Sequence, residues 1–252
     1  MSDVIIILVA LIGSGLTLIS GFGLGTLLLP VFALFFTVEL AVAMTAVVHF
    51  LNNIFKFSLM FKSLNKKVIV LFGLPGIIGA FLGAKTLNSI SGLESFVFLN
   101  TEMEPVKVGI GILMIFFAIT ELFPGILQFN FRKRYLIPGG ALSGFFGGLS
   151  GHQGALRSMF LIKLDLKKEV YIATGVGIAL LVDMTRIPVY LSSFDLEKLQ
   201  EEWVIIALAT LAAFIGAFIG KRLIPKITLD FVHRLVGILM IAMGIALIFN
   251  WI

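Results

Sequence analysis

Apolar runs long enough to cross a bilayer follow one another along this chain with little between them. They cover roughly residues 4–36, 40–61, 68–87, 106–123, 135–162, 170–192, 203–224 and 231–252. About twenty apolar residues in helical form span the ~30 Å hydrocarbon layer. Inside lipid only helices or closed barrels satisfy every backbone N–H and C=O, and runs that are continuous rather than alternating argue against a barrel. The 252 residues are 59% hydrophobic and 13% charged, whereas a soluble domain is about a quarter charged. The chain therefore reads as an all-α polytopic membrane protein. No polar stretch exceeds a modest loop, so no soluble domain fits. The run from Val4 has no basic leader and no clear small-residue cleavage site. It is expected to be a membrane segment of the mature protein rather than a cleaved signal.

The absence of cysteine excludes disulfides, thiolate metal sites and cysteine-based sulfur relays. The net charge of +5 does not point to nucleic acid, because Lys and Arg sit at the ends of the apolar runs, as membrane topology requires. The chain carries no HExxH, Walker A or Gly-x-Ser-x-Gly pattern. Its three His residues, His49, His152 and His233, are too far apart to make a metal site. Neither an enzyme nor a cofactor is expected.

The chain also says nearly the same thing twice. Ile19-Ser20-Gly21-Phe22-Gly23-Leu24-Gly25 returns as Leu149-Ser150-Gly151-His152-Gln153-Gly154-Ala155. At the same shift Glu39 pairs with Glu169, Asn53 with Asp183, and Lys56 with Arg186. Gly79-Ala80-Phe81-Leu82-Gly83 resembles Gly216-Ala217-Phe218-Ile219-Gly220, and Gly111-Ile112-Leu113-Met114-Ile115 recurs as Gly237-Ile238-Leu239-Met240-Ile241. The order is common to both halves, which suggests two membrane repeats, residues 1–130 and 131–252.

Corresponding loops of the two halves carry opposite charge. Lys62, Lys66 and Lys67 answer to an acidic loop with Asp195, Glu197, Glu201 and Glu202, against a single Lys198. Glu94, Glu102 and Glu104 answer to Lys221, Arg222 and Lys226, while Glu39 answers to Lys163, Lys167 and Lys168. Basic loops stay in the cytoplasm, so the halves should face opposite ways. Four simple crossings per half cannot invert a repeat; an odd number can. Residues 4–36 as one helix would extend about 50 Å, too long for one upright crossing. The expectation is that 4–36 and 135–162 are each a Gly-broken re-entrant hairpin of two short helices, the first segment of each inverted four-segment repeat. All basic loops, including Arg132-Lys133-Arg134, then lie inside and both termini outside.

Discontinuous membrane segments in matching places point to a transporter's substrate site. On the second break, His152, Gln153 and Arg157 lie beside Ser150 and Gly151. Arg157 within the membrane suggests function, since its planar fork matches sulfonate or carboxylate oxygens and helix N-termini at a break favour anions. The first break offers Ser20, Gly21 and Gly23, a hydroxyl and backbone N–H groups without charge. His49, Asn52, Asn53 and Lys56 form a stripe at spacings of three and four on one helical face, and Asp183 and Arg186 stand on the equivalent face. Of these, His49, Asn53, Lys56, Asp183 and Arg186 are the coupling or gating candidates. Asp183 either neutralises a neighbouring cation or carries a coupling proton, and structural pairing is the more economical reading.

The two motifs, with Gly13-Ser14-Gly15 and Pro30 around the first and Ser143-Gly144 and Gly147-Gly148 before the second, resemble the TauE/SafE sulfite exporter family, also called the toluene-sulfonate uptake permease family. The resemblance spans essentially the whole chain. It departs at His152-Gln153 and at Phe160, which stands where Pro30 stands in the first copy. It implies an inner-membrane carrier for small sulfur-containing or organic anions such as sulfite, sulfoacetate or sulfonates. The reading is a secondary transporter of such an anion working by alternating access, with proton or sodium as coupling ion if it imports. The alternatives are an anion channel and a non-transporting membrane scaffold.

Overall fold

The structure, a computed structural model, describes residues 1–20, 23–98, 101–123, 133–194, 196–223 and 229–252, with backbone only for 18–20, 121, 133, 196, 221–223 and 229–233. The apolar segments are helices. They are α1 (Ser2–Ser20), α2 (Gly25–Ala33), α3 (Val38–Met60), α4 (Lys66–Ser91), α5 (Pro105–Leu122), α6 (Leu136–Ser150), α7 (Gln153–Leu161), α8 (Lys168–Leu191), α9 (Leu196–Glu201), α10 (Trp203–Leu223) and α11 (Leu229–Ile248). Local chemistry marks their starts. The Asn65 side chain accepts from the Val68 N–H at 3.2 Å at the head of α4, and Pro105, whose missing N–H costs nothing in a first turn, opens α5. The loop at 88–105 is not wholly irregular: β1 (Phe96–Phe98) and β2 (Thr101–Met103) pair antiparallel, Phe96 opposite Met103. The sequence reading did not expect this hairpin.

Among the described residues, four stretches are long and apolar enough to cross a membrane: Val38–Ser63, Lys66–Ser91, Lys168–Leu191 and Trp203–Gly220. Ser2–Thr17, Pro105–Thr120, Leu136–Ser150 and Arg234–Ile248 are apolar but shorter. Burial is arranged for a hydrocarbon solvent. Ile78, Leu211 and Ile238 face outward, while Lys56, Arg157, Asp183 and Arg186 are buried. In water such an exterior would aggregate; in lipid it is the required surface. The chain is an all-α, multi-pass membrane protein.

The packing pairs elements across the two halves. α4 lies along α6, α10 along α1, α5 along α11, and α3 along α8. The first two contacts bring backbone against backbone, which only glycine permits. A Cβ on Gly83 would overlap the Phe145 carbonyl, and one on Gly220 would lie 2.5 Å from the Gly15 Cα. Gly79 likewise meets the backbone of Ala141, and Gly216 that of Leu11. α5 and α11 touch through Gly111 and Gly244, each within 2.7 Å of a carbonyl if given a Cβ. Without a hydrophobic force between helices in lipid, close van der Waals packing of this kind holds a bundle together.

Hydrogen bonds gather the connecting segments at two ends. Asn88 donates to Ser193 Oγ at 2.6 Å, and Asn250 donates to the Glu102 carbonyl at 3.2 Å. The 88–105 segment, the residues after α8 and the C-terminal residues therefore share one end. At the other end of α8, the Asn65 N–H donates to Thr174 Oγ1 at 2.9 Å.

Candidate functional site

Both Gly-containing motifs interrupt a helix. α1 ends at Ser20 and α2 begins at Gly25; α6 ends at Ser150 and α7 begins at Gln153. The second break turns on Gly151, whose φ of +79° lies in the left-handed region that a side chain resists. The two interruptions are neighbours: a Cβ on Gly25 would lie 3.7 Å from the Gly151 carbonyl oxygen. The short helices α2 and α7 both start here, and no side chain caps either N-terminus. Their dipoles therefore direct positive ends at one small region.

α3 and α8 cross beside the breaks and bring the polar stripes into contact. Asp183, fully buried, sits at the centre. Its Oδ2 lies 2.7 Å from His49 Nδ1 and accepts from Asn53 Nδ2 at 3.4 Å. Its Oδ1 accepts from Arg186 Nε at 2.9 Å and lies 2.9 Å from Nη2. Arg186 then donates through Nη1 to the Gly147 carbonyl at 3.0 Å, and Tyr190 donates its hydroxyl to the carbonyl of Gly148. The α8 network thus reaches into the last turn of α6, just before the break. On the other side, Lys56 Nζ donates to the Ser14 carbonyl at 3.4 Å, and Ser14 Oγ donates to Asn52 Oδ1 at 3.1 Å. That ties α3 to α1.

A cavity of about 30 Å³ lies between these elements, room for roughly two water molecules. His49, Asn53 and Lys56 line it from α3, Thr17 and Gly23 from the first break, and Arg157 from α7. Tyr171, Gly175 and Ala179 close it from α8. Gly175 makes room for the guanidinium, since a Cβ there would lie 3.3 Å from Arg157 Nε. Lys56 and Arg157 are 4% and 5% exposed, so two cations share one enclosed space. Asp183 is occupied by Arg186 and His49, and among the described residues no carboxylate forms an ion pair with Lys56. A buried Lys56 ammonium without a carboxylate partner is costly unless an anion joins it.

Residues 5–247 match the family model described as sulfite exporter TauE/SafE. The chain belongs to this family. TauE/SafE proteins are membrane transporters, so a small anionic substrate and a lipid bilayer are the partners implied, which fits a non-enzyme. No curated protein and no solved structure matches the chain.

In this TauE/SafE chain the residues singled out from the sequence separate into two groups. Gly23, His49, Asn53, Lys56 and Arg157 line the cavity. Ser150, Gly151, His152 and Gln153 do not line it; they form the buried support at the start of α7. The His152 ring stacks on Phe117 with centroids 5.5 Å apart, and its Nδ1 lies 3.0 Å from Ser150 Oγ. Ser143 Oγ donates to the Gln153 carbonyl at 3.0 Å. The Gln153 side chain is fully buried, and neither its amide oxygen nor its nitrogen has a hydrogen-bond partner. Asp183 and Arg186 stand behind His49. The Ser20 side chain and Gly21 lie outside the described residues.

The sequence reading missed Thr17, Tyr171, Gly175 and Ala179. The last three were within reach. Tyr171, Gly175, Ala179, Asp183 and Arg186 follow one another at spacings of four, four, four and three, one continued helical face. Only its charged members drew attention.

Proposed function

We propose that this chain is a secondary transporter that moves a small sulfur oxyanion, sulfite in the first instance, through the cavity at the two helix breaks. The observation that carries this reading is the enclosure of Lys56 and Arg157 in one cavity beside the N-terminal end of α2. Two cations, the α2 helix dipole and the polar side chains of Asn53 and Thr17 suit a compact anion. The small volume favours sulfite over an organosulfonate or sulfoacetate, which needs the site to open. Export of an anion from a negative cytoplasm is favoured by about 2.3 kcal/mol per charge per 100 mV, so export needs no coupling ion. Uptake would draw on a proton or sodium, with the His49–Asp183 pair as carrier.

Alternating access follows from an inverted repeat, residues 1–130 against 131–252. Support comes from contacts that repeat when the halves are exchanged. Asn53 and Asp183, 130 residues apart, touch each other, as equivalent residues do on a two-fold axis. Leu11 and Gly15 of α1 meet Gly216 and Gly220; Ala141 and Phe145, at the same shift, meet Gly79 and Gly83. The re-entrant hairpins are then uneven, one long arm (α1 or α6) and one arm of nine residues (α2 or α7). The clustering of the 88–105 segment with the C-terminal residues supports a topology with both termini outside the inner membrane and the lysine-rich loops within. A reporter fused after Ile252 that reads cytoplasmic would sink that topology.

The test of function is sulfite flux in proteoliposomes. Wild type gives saturable flux. Lys56→Ala and Arg157→Ala each lower it at least tenfold while the protein still elutes as a monodisperse peak. Full flux in both variants defeats the site, and unsaturable, pore-like current defeats the carrier mechanism.

A further inference from the structure

A second cavity, of about 400 Å³, opens where the basic segments meet, far larger than the space at the breaks. Its floor is aliphatic: Val68 and Leu71 of α4, Leu136 of α6 and Leu164 after α7. Lys67 and Arg134 stand with them in its lining, and both are exposed. Among the described residues neither forms an ion pair. The Arg134 guanidinium lies 4.9 Å from the Tyr135 ring centroid and donates to its hydroxyl at 2.9 Å, which steadies the fork. Asp165 lies between Leu164 and Leu166, both of which line the cavity, yet is not itself part of the lining.

An inorganic anion would use the two cations and leave the aliphatic floor wet. A floor of branched side chains beneath a cationic rim suits an amphiphile, whose apolar part leaves water as its charge is met. Ile137, part of the lining, is 53% exposed, so the cavity adjoins the lipid-facing surface. Basic pockets between membrane helices at the cytoplasmic boundary take anionic headgroups. We propose that this cavity binds the phosphate headgroup and glycerol region of an anionic phospholipid. The leaflet, cytoplasmic, rests on the topology proposed above; the pocket chemistry does not.

The test is native mass spectrometry of the full chain released from detergent, with phosphatidylglycerol and phosphatidylethanolamine of identical acyl chains in equal amounts. Wild type is expected to retain phosphatidylglycerol at least tenfold over phosphatidylethanolamine. Lys67→Ala with Arg134→Ala is expected to abolish that preference. Lys67→Arg with Arg134→Lys should keep it, and Leu164→Trp, which fills the cavity without changing charge, should lower retention. Wild type without a preference, a double alanine variant that keeps it, or Leu164→Trp with unchanged retention overturns the proposal. Displacement of the lipid by millimolar inorganic phosphate also overturns it and marks a free-anion site. Sulfite flux and the Ile252 reporter are read separately. A lost lipid preference with intact flux therefore defeats this site alone.

Discussion

Asp183→Ala isolates what holds α3 and α8 together. The wild-type carboxylate is fully buried and meets three hydrogen-bonding partners, His49 Nδ1 at 2.7 Å, Asn53 Nδ2 at 3.4 Å and Arg186 Nε at 2.9 Å, with Arg186 Nη2 completing the ion pair at 2.9 Å. Its removal leaves the fully buried Arg186 guanidinium with the Gly147 carbonyl and no counter-charge. Breaking a buried pair on one side costs about 3–5 kcal/mol, most of it the uncompensated charge. At about 2–4 °C per kcal/mol for a chain of this size, the unfolding midpoint should fall by roughly 6–20 °C. Thermal unfolding in detergent, followed by size-exclusion recovery, measures it. Asp183→Ala combined with Arg186→Met removes both charges and should recover at least half of the loss, because an apolar replacement of a whole pair is close to neutral. A single variant within about 1 kcal/mol of wild type, or a double variant no better than the single, refutes the reasoning.

Three further outcomes are expected. Gly83→Ala and Gly220→Ala, which each force a Cβ into a neighbouring helix backbone, should destabilise by similar amounts of about 1–3 kcal/mol. Gly109→Ala, with nothing within 4 Å of the new Cβ, should be neutral or stabilising by up to about 1 kcal/mol; thermal midpoints compare the three, and unequal costs at Gly83 and Gly220 count against the repeat. Gln153→Met replaces a buried amide with no partner and should raise stability by about 1–3 kcal/mol. A midpoint that falls instead means that the amide is satisfied in the working protein. Gly151→Ala must hold a left-handed φ and bring a Cβ 3.0 Å from Arg186 Nη1, so it should cost at least about 1–2 kcal/mol and reduce sulfite flux more than Gly175→Ala does.

Part of the cavity lining could be read from spacing. The α3 stripe of His49, Asn53 and Lys56 was legible because polar residues at helical spacing in an apolar run have few other meanings. Arg157 was legible as a charge inside an apolar run. His152 and Gln153 are expected at the substrate site; in the structure they stand outside the cavity lining, where His152 stacks on Phe117. Which way a side chain points at a break depends on the left-handed turn at Gly151, and no periodicity carries across such a turn. The β1–β2 hairpin escaped because three-residue strands leave too short a pattern to register.

The sequence by itself determined that the chain lives in a membrane as helices, since lipid allows a polypeptide this apolar no other hydrogen-bonded form. It also determined where two of those helices break and which residues recur in both halves. Only the tertiary structure decided that Asp183 belongs to Arg186 and His49 while Lys56 and Arg157 share a cavity. Charge pairing is a matter of ångströms between separate helices, and helical spacing orders residues along one helix but says nothing of what stands opposite.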